Sequence, residues 1–314
     1  MINLVRSDVK YALISKKFLG VFVLFLFFTC LTFFLSYNNA MVAYSDYTNQ
    51  LQFLEKNNYN VEESLNEEFN ILNQSDKDGM VENPLPYFNM LLADSLISLE
   101  PEYAVSQLLE ESLTFFPIIA SLFGASWVAV DYKNKTQRNR SLRYGKQCSM
   151  WSRQLSGVLI LLISLIVMSF IVYGIQAVTR FFVMSSMEKT YELTSLGDAG
   201  KTGLAKYIKQ YIVAIASLLL YYEIGFTFGN LFKGSNVIAI FMCVYTLLIP
   251  PLFKYDLSNI FNFLGSKTFE FKGPFKISTL YEINVTIGIL GLSVFFASLV
   301  ICNYIITKKR SAYV

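Results

Sequence analysis

Long apolar runs alternate along this chain with stretches where polar and charged residues crowd together. Six runs stand out, at residues 18–36, 113–130, 155–178, 211–232, 237–253 and 285–306. Each approaches the ~20 apolar residues that a helix needs to cross the ~30 Å hydrocarbon core of a bilayer. Inside lipid every backbone N–H and C=O must be bonded within its own segment, so runs of this kind predict helices. The chain therefore reads as an all-α membrane protein with six transmembrane helices. The first run is longer than the roughly 7 to 15 residues of a signal-peptide core, and no A-x-A site follows it, so it reads as a retained span.

The polar stretches have patterns of their own. In "MINLVRSDVKYALISKKF", Ile2, Val5, Val9, Ala12 and Leu13 share one helical face and Arg6, Lys10 and Lys17 the other, which predicts an amphipathic interfacial helix over residues 1–17. Residues 37–112 contain "PYFNMLLADSLISLE" and "AVSQLLEESLTFF", with apolar residues at helical spacing, so short helices packed as a cap are expected there. Residues 46–78, dominated by Asn, Asp, Glu and Lys, read equally well as a solvated acidic loop. Residues 254–284 interleave Phe261, Phe263, Phe269, Phe271 and Phe275 with Lys and Glu, a pattern suited to a membrane-edge or re-entrant hairpin. Residues 131–154 and 179–210 are the other long connections, and residues 307–314 form a short tail.

Composition agrees with the pattern. Of 314 residues, 54% are apolar and 16% charged, against roughly 25% charged in a soluble domain. Lysine and arginine near the spans set orientation. With residues 1–17 inside, the inner side collects Arg6, Lys10, Lys16 and Lys17, the dense cluster of residues 131–154, Lys233, and Lys308 to Arg310. Both termini are then cytoplasmic. The acidic segment between the first two spans lies outside as an extracellular helical cap. The chain contains no histidine, which removes the commonest near-neutral general base and the commonest zinc ligand. Cys30, Cys148, Cys243 and Cys302 form no CxxC pair and read as small buried residues and one free thiol.

Three motifs dissolve on inspection. "SLGDAGKTG" at residues 195–203 resembles a phosphate-binding loop, but that template needs glycine five positions before Gly200, where Ser195 stands. It reads as a glycine-bearing turn before the fourth span. Leu155-Ser156-Gly157 runs directly into a spanning helix. Asn284-Val285-Thr286 fits a glycosylation sequon but opens the sixth span.

The informative loop is residues 131–154. It carries Lys133, Lys135, Arg138, Arg140, Arg143, Lys146 and Arg153, more cations than an anchor needs, together with Leu142, Tyr144, Met150 and Trp151. That chemistry suits docking on an acidic, grooved cytosolic partner, with cations steering and an aromatic or aliphatic anchor holding. It suits anionic lipid headgroups equally. The pattern Asp131, Thr136, Leu142, Tyr144-Gly145 and Arg153 resembles the loop after the second helix of ABC-2 type transporter permeases. The six-span layout and the large first loop resemble that family too. The chain departs from it at Lys146-Gln147-Cys148, where such permeases often carry Ser-Arg.

The resemblance implies a bacterial cytoplasmic-membrane permease subunit, paired with a second copy or a paralogue and with two copies of a separate ABC ATPase. It implies that Asp131, Thr136, Arg138, Arg140, Leu142, Arg143, Tyr144, Gly145 and Arg153 belong to the surface that meets the ATPase. This chain itself would bind no cofactor and perform no catalysis, ATP and Mg²⁺ being held by the partner. Export is the implied direction. The acidic cap makes an amphipathic or antimicrobial peptide the expected cargo, as in peptide exporters and bacteriocin-immunity systems, with lipid or drug export as the alternative. Membrane lipid is the other expected partner, and nucleic acid is not one.

Within the spans one acid stands out. Glu223, in "LLLYYEIGFTFGN", shares a helical face with Thr227 and Asn230, and Gly225 and Gly229 form a GxxxG pattern for close helix approach. A charge at mid-helix costs on the order of 2.5 to 3.5 kcal/mol, so Glu223 should face protein or water. It reads either as part of a substrate pathway or as a protonated, hydrogen-bonded structural group. The pathway reading leaves room for a proton-coupled secondary transporter. A non-transporting membrane sensor is the remaining rival.

Overall fold

The computed structural model describes residues 1–66, 69–72, 80–134, 136–191, 204–247, 249, 252–274, 277, 279 and 281–309. Twelve α-helices dominate the described residues: α1 (Ile2–Ile14), α2 (Lys17–Lys56), α3 (Val61–Asn66), α4 (Pro84–Ser98), α5 (Pro101–Glu110), α6 (Phe116–Lys133), α7 (Thr136–Tyr144), α8 (Lys146–Tyr191), α9 (Leu204–Phe232), α10 (Asn236–Leu247), α11 (Leu257–Ser266) and α12 (Val285–Lys309). The strands β1 (Asn70–Leu72) and β2 (Met80–Glu82) form a short antiparallel pair between α3 and α4.

Among the described residues four helices are long and apolar enough to cross a membrane: the stretches Leu19–Lys56 of α2, Lys146–Phe182 of α8, Ala205–Phe232 of α9, and all of α12. The pair Pro101–Leu113 and Phe116–Lys133, bent by 64°, makes a fifth if it is taken as one broken span. The chain is thus a multi-pass α-helical membrane protein. The bend has a local cause, because Pro117 lies in the first turn of α6, where its missing N–H cannot continue a helix arriving from upstream.

The apolar run expected at 237–253 behaves differently. Its helix, α10, has 12 residues, about 18 Å at 1.5 Å per residue, which is too short to span. Ile249, Pro250 and Pro251 follow, and two consecutive residues without an N–H cannot extend the ladder. The described elements on either side lie near opposite ends of α6. α10 starts beside Phe232 and Lys233 at one end. Near its last turn Tyr245 donates to Asp256 Oδ1 at 2.5 Å, and α11 then reaches Leu113 through Gly265 at the other end.

α6 and α9 form the centre. Phe116, Ile119, Phe123 and Trp127 on α6 and Leu218, Tyr222 and Phe226 on α9 are buried in one cluster. The two backbones approach so closely that a Cβ at Gly229 would lie 2.6 Å from Ala125 Cα, and one at Gly225 would overlap the Ser121 backbone. Without a hydrophobic drive between helices in lipid, this intimate van der Waals contact is the main source of association. α12 is also apolar all round, yet only 11% of its apolar window is buried against 67% for α9. Most of its surface is open to whatever surrounds the bundle.

α2 continues well past its apolar run. Its distal part packs Ala40, Ala43 and Tyr47 against Leu85, Leu92 and Leu96 of α4 in a second, separate core. Beneath this cap, polar side chains stitch helix ends together: Thr32 donates to Glu111 Oε1 at 2.9 Å, Gln107 to Ser36 at 2.6 Å and Gln210 to Ser106 at 2.8 Å. Phe269 is buried, and the backbone N–H groups of Phe271 and Lys272 bond Glu110 and Tyr103. This part of residues 254–284 therefore packs onto α5. All four cysteines are free. Asn284 accepts the N–H groups of Thr286 and Ile287 and so caps α12.

Candidate functional site

The described polar residues converge at the end of the bundle opposite the cap. There α1, the last turn of α6, α7 and the first turns of α8 meet. Asp131 closes α6, and Thr136, opening α7, donates to its Oδ1 at 2.9 Å. Arg153, in the third turn of α8, clamps the same carboxylate with Nε on Oδ2 at 2.6 Å and Nη2 on Oδ1. This fork is the geometry in which a guanidinium binds a carboxylate most strongly. The guanidinium also stacks 4.5 Å from the Trp127 ring centroid and 5.5 Å from that of Tyr11, and Trp127 Nε1 donates to the Arg153 carbonyl at 2.9 Å.

Asp8 is the second acid of this layer. Arg140 of α7 bonds both its oxygens, with Nη2 to Oδ2 at 2.8 Å, and Ser152 donates to Oδ2 at 2.6 Å. Arg153 Nη1 lies 3.5 Å from Asp8 Oδ1. Two carboxylates thus face two guanidiniums with almost no solvent around Asp8, Asp131 and Arg153. Burial alone would push the Arg140 guanidinium down. Its bonds to Asp8 and the nearby Asp131 charge outweigh that and raise it above the usual arginine value.

The rest of α7 points outward. Leu142 and Tyr144 are 65% and 42% exposed, and the Arg143 guanidinium lies over the Tyr144 ring at 5.2 Å. Gly145, at φ +81°, makes the turn into α8, a left-handed conformation that a Cβ would strain. Of the expected docking residues, Arg140 therefore turns inward, while Leu142, Arg143 and Tyr144 form an accessible edge. The Arg138 side chain and Lys135 lie outside what the structure describes, as do residues 195–203.

No family model, no curated protein and no solved structure matches this chain.

A second polar layer sits one step deeper. Glu223 of α9 is 1% exposed. Its Oε1 accepts from Gln154 Nε2 of α8 and, at 2.7 Å, from Asn303 Nδ2 of α12. Asn303 Nδ2 also reaches Thr227 Oγ1 at 2.8 Å, and Thr227 donates to the Glu223 carbonyl at 2.7 Å. Asn230 donates to Asn303 Oδ1 at 3.3 Å and accepts from the Tyr132 hydroxyl at 2.6 Å. Glu223, Thr227 and Asn230, expected on one face of a helix, do converge, and three more helices supply their partners. The two layers are joined covalently at Arg153-Gln154 and by Tyr222, whose hydroxyl donates to the Gln154 carbonyl at 3.2 Å.

The sequence reading missed Asp8, Tyr132, Gln154 and Asn303. Each carried a signal. Asp8 lies at i+3 from Val5 and i−4 from Ala12, an acid within the buried stripe of α1. Asn303 is an isolated amide in a 25-residue apolar helix. Gln154 and Tyr132 directly adjoin Arg153 and Asp131, which were recognised. Chemically, the network ties α1, α6, α7, α8, α9 and α12 into one hydrogen-bonded unit whose outer edge is α7.

Proposed function

We propose that this chain is a permease subunit of an ABC-2 type exporter in a bacterial cytoplasmic membrane. It acts as a homodimer or with a paralogue, and with two copies of a separate ATPase that holds ATP and Mg²⁺. The observation that carries the reading is α7: a short helix at one end of the bundle that presents Leu142, Arg143 and Tyr144 outward while Arg140 roots it in Asp8 of α1. An exposed aliphatic–aromatic edge beside cations is the chemistry of a docking element.

In this proposal the α7 end is cytoplasmic, in accord with the clustering of Lys and Arg there. Six passages cross the membrane, the fifth made of α10 and the segment after it. ATP-driven closure of the ATPases pushes on α7. The paired charges transmit that push to α1, α6 and α8, and the Glu223 layer carries it to α9 and α12. The cargo is an amphipathic peptide, a reading supported by the exposed acids Asp46, Glu55, Glu62 and Glu63 on the cap side, with lipid or drug export as the alternative. Co-expression with any P-loop ATPase encoded beside this gene tests the proposal. A stable complex whose ATP hydrolysis depends on this chain is expected. A fully folded chain that captures no ATPase overturns it.

A second reading rests on Glu223, a buried carboxylate whose side-chain partners are amides rather than cations. Such a group can carry a proton in a secondary transporter. Transport that survives loss of the ATPase but stops with an uncoupler would favour it.

A further inference from the structure

A cleft of about 700 Å³ opens between α6, the end of α9 and the start of α10, at the same end of the bundle as α7. That size is within the range of small-molecule sites. Along α6 its wall is built from Ser126, Ala129, Val130 and Lys133, positions i, i+3, i+4 and i+7 on one helical face. Passing inward from the end of the helix, the wall therefore changes from a cation to aliphatic carbon to a small side chain. Across the cleft, Lys233 lies at the mouth beside Phe232 and Val237, both more than half exposed. Among the described residues no carboxylate lines the cleft and neither lysine has an ion-pair partner.

Lys233 also holds an uncommon backbone. It sits at φ +57° just past the end of α9, although Gly234, the next residue, would adopt that conformation without strain. A lysine in the left-handed position places a cation at this mouth at some conformational cost, and the carbonyl end of α9 offsets part of it.

The geometry points to a binding site for one anionic phospholipid, its phosphate held between Lys133 and Lys233 and an acyl chain following Val130 and Ala129 toward Ser126. Two cations at one end of an apolar wall match an anionic amphiphile better than a soluble anion, which would leave the wall uncovered. They match it better than a zwitterionic lipid, whose own cation would face the lysines. The inference needs only a membrane-embedded chain and is independent of any ATPase partner. Tyr132 lines the same cleft and donates to Asn230, so the lipid would touch the outermost member of the Glu223 network.

Native mass spectrometry of the purified full chain, titrated with phosphatidylglycerol or phosphatidylcholine in detergent, reads occupancy directly. The expected result is preferential retention of phosphatidylglycerol. Affinity should fall roughly fivefold for each lysine changed to alanine and about 25-fold for both, and Lys133→Arg with Lys233→Arg should retain it. Ala129→Trp fills the cleft with both cations in place and should also abolish the preference. Equal retention of the two lipids, or an unchanged preference in the double alanine variant, overturns the site. So does an unchanged preference in Ala129→Trp, since the lysines would then act as a surface anchor. Competition by glycerol 3-phosphate at affinity equal to the lipid would also overturn it, by assigning the cleft to a soluble anion.

Discussion

Asp8 and Arg140 stand 132 positions apart, yet both carboxylate oxygens of the first are bonded by the guanidinium of the second. This pair fastens the N-terminal helix to the helix that carries the exposed Leu142–Tyr144 edge. Asp8→Ala leaves Arg140 without the carboxylate it bonds, while Arg153 keeps its fork on Asp131, and removing one partner of a buried pair costs about 3 to 5 kcal/mol. A clear drop in thermal unfolding temperature in detergent is expected. The Asp8→Ala, Arg140→Ala double variant should lose less than the sum of the single losses, because the two positions interact. Strict additivity in that cycle would show that the pair is not coupled.

The edge itself predicts the opposite split. Leu142→Glu and Tyr144→Ala touch nothing in the network, so the unfolding temperature should stay unchanged. Capture of the ATPase and its stimulated hydrolysis should fall by roughly tenfold, the scale of losing a buried interface anchor. Hydrolysis assays on the co-purified complex decide it, and full activity in both variants would remove α7 from the interface.

Glu223 can be tested for structural against proton-carrying roles. Glu223→Gln keeps an acceptor for Gln154 and Asn303 and should unfold near the temperature of the parent. Glu223→Leu takes the acceptor from Gln154 Nε2 in the interior, at about 1 to 3 kcal/mol, while Asn303 keeps its bond to Thr227. If transport persists in the glutamine variant, the carboxylate moves no proton. If transport stops while stability is retained, the secondary-transporter reading gains.

Two glycines should respond with opposite sign. At Gly229 an added methyl meets the Ala125 backbone, so Gly229→Ala should cost about 1 to 3 kcal/mol by overpacking. At Gly174 on α8 no described residue lies within 4 Å of an added methyl, and alanine there should gain about 0.5 to 1 kcal/mol from backbone entropy alone. Equal responses in a thermal unfolding series would refute the close α6–α9 approach.

Apolar length made α2, α6, α8, α9 and α12 legible in the sequence, because lipid leaves the backbone no other solution. It failed in both directions at helix ends. α2 and α8 run far beyond their apolar cores, since once a helix exists each further residue adds a hydrogen bond whatever its polarity. The run at 237–253 stops early at α10, where paired prolines outweigh hydrophobicity. At the site, the residues clustered in one loop or on one helix face were visible, namely Asp131, Thr136, Arg153, Glu223, Thr227 and Asn230. Their partners were not, because Asp8 and Asn303 come from opposite ends of the chain. Arg140 looked like a surface cation because its counter-ion lies in a distant helix.

The length of α2 has a mechanical consequence. Its 40 residues make a rod of about 60 Å, twice the hydrocarbon thickness. At its base the chain turns through Lys16, at φ +58° between α1 and α2, and the rod carries α4 on its distal half. Small angular changes at the base become large sideways displacements at the tip, on the order of 10 Å for a tilt of about 10°. The cap therefore sits where any tilt of α2 is largest, and a probe placed there would register it most sensitively.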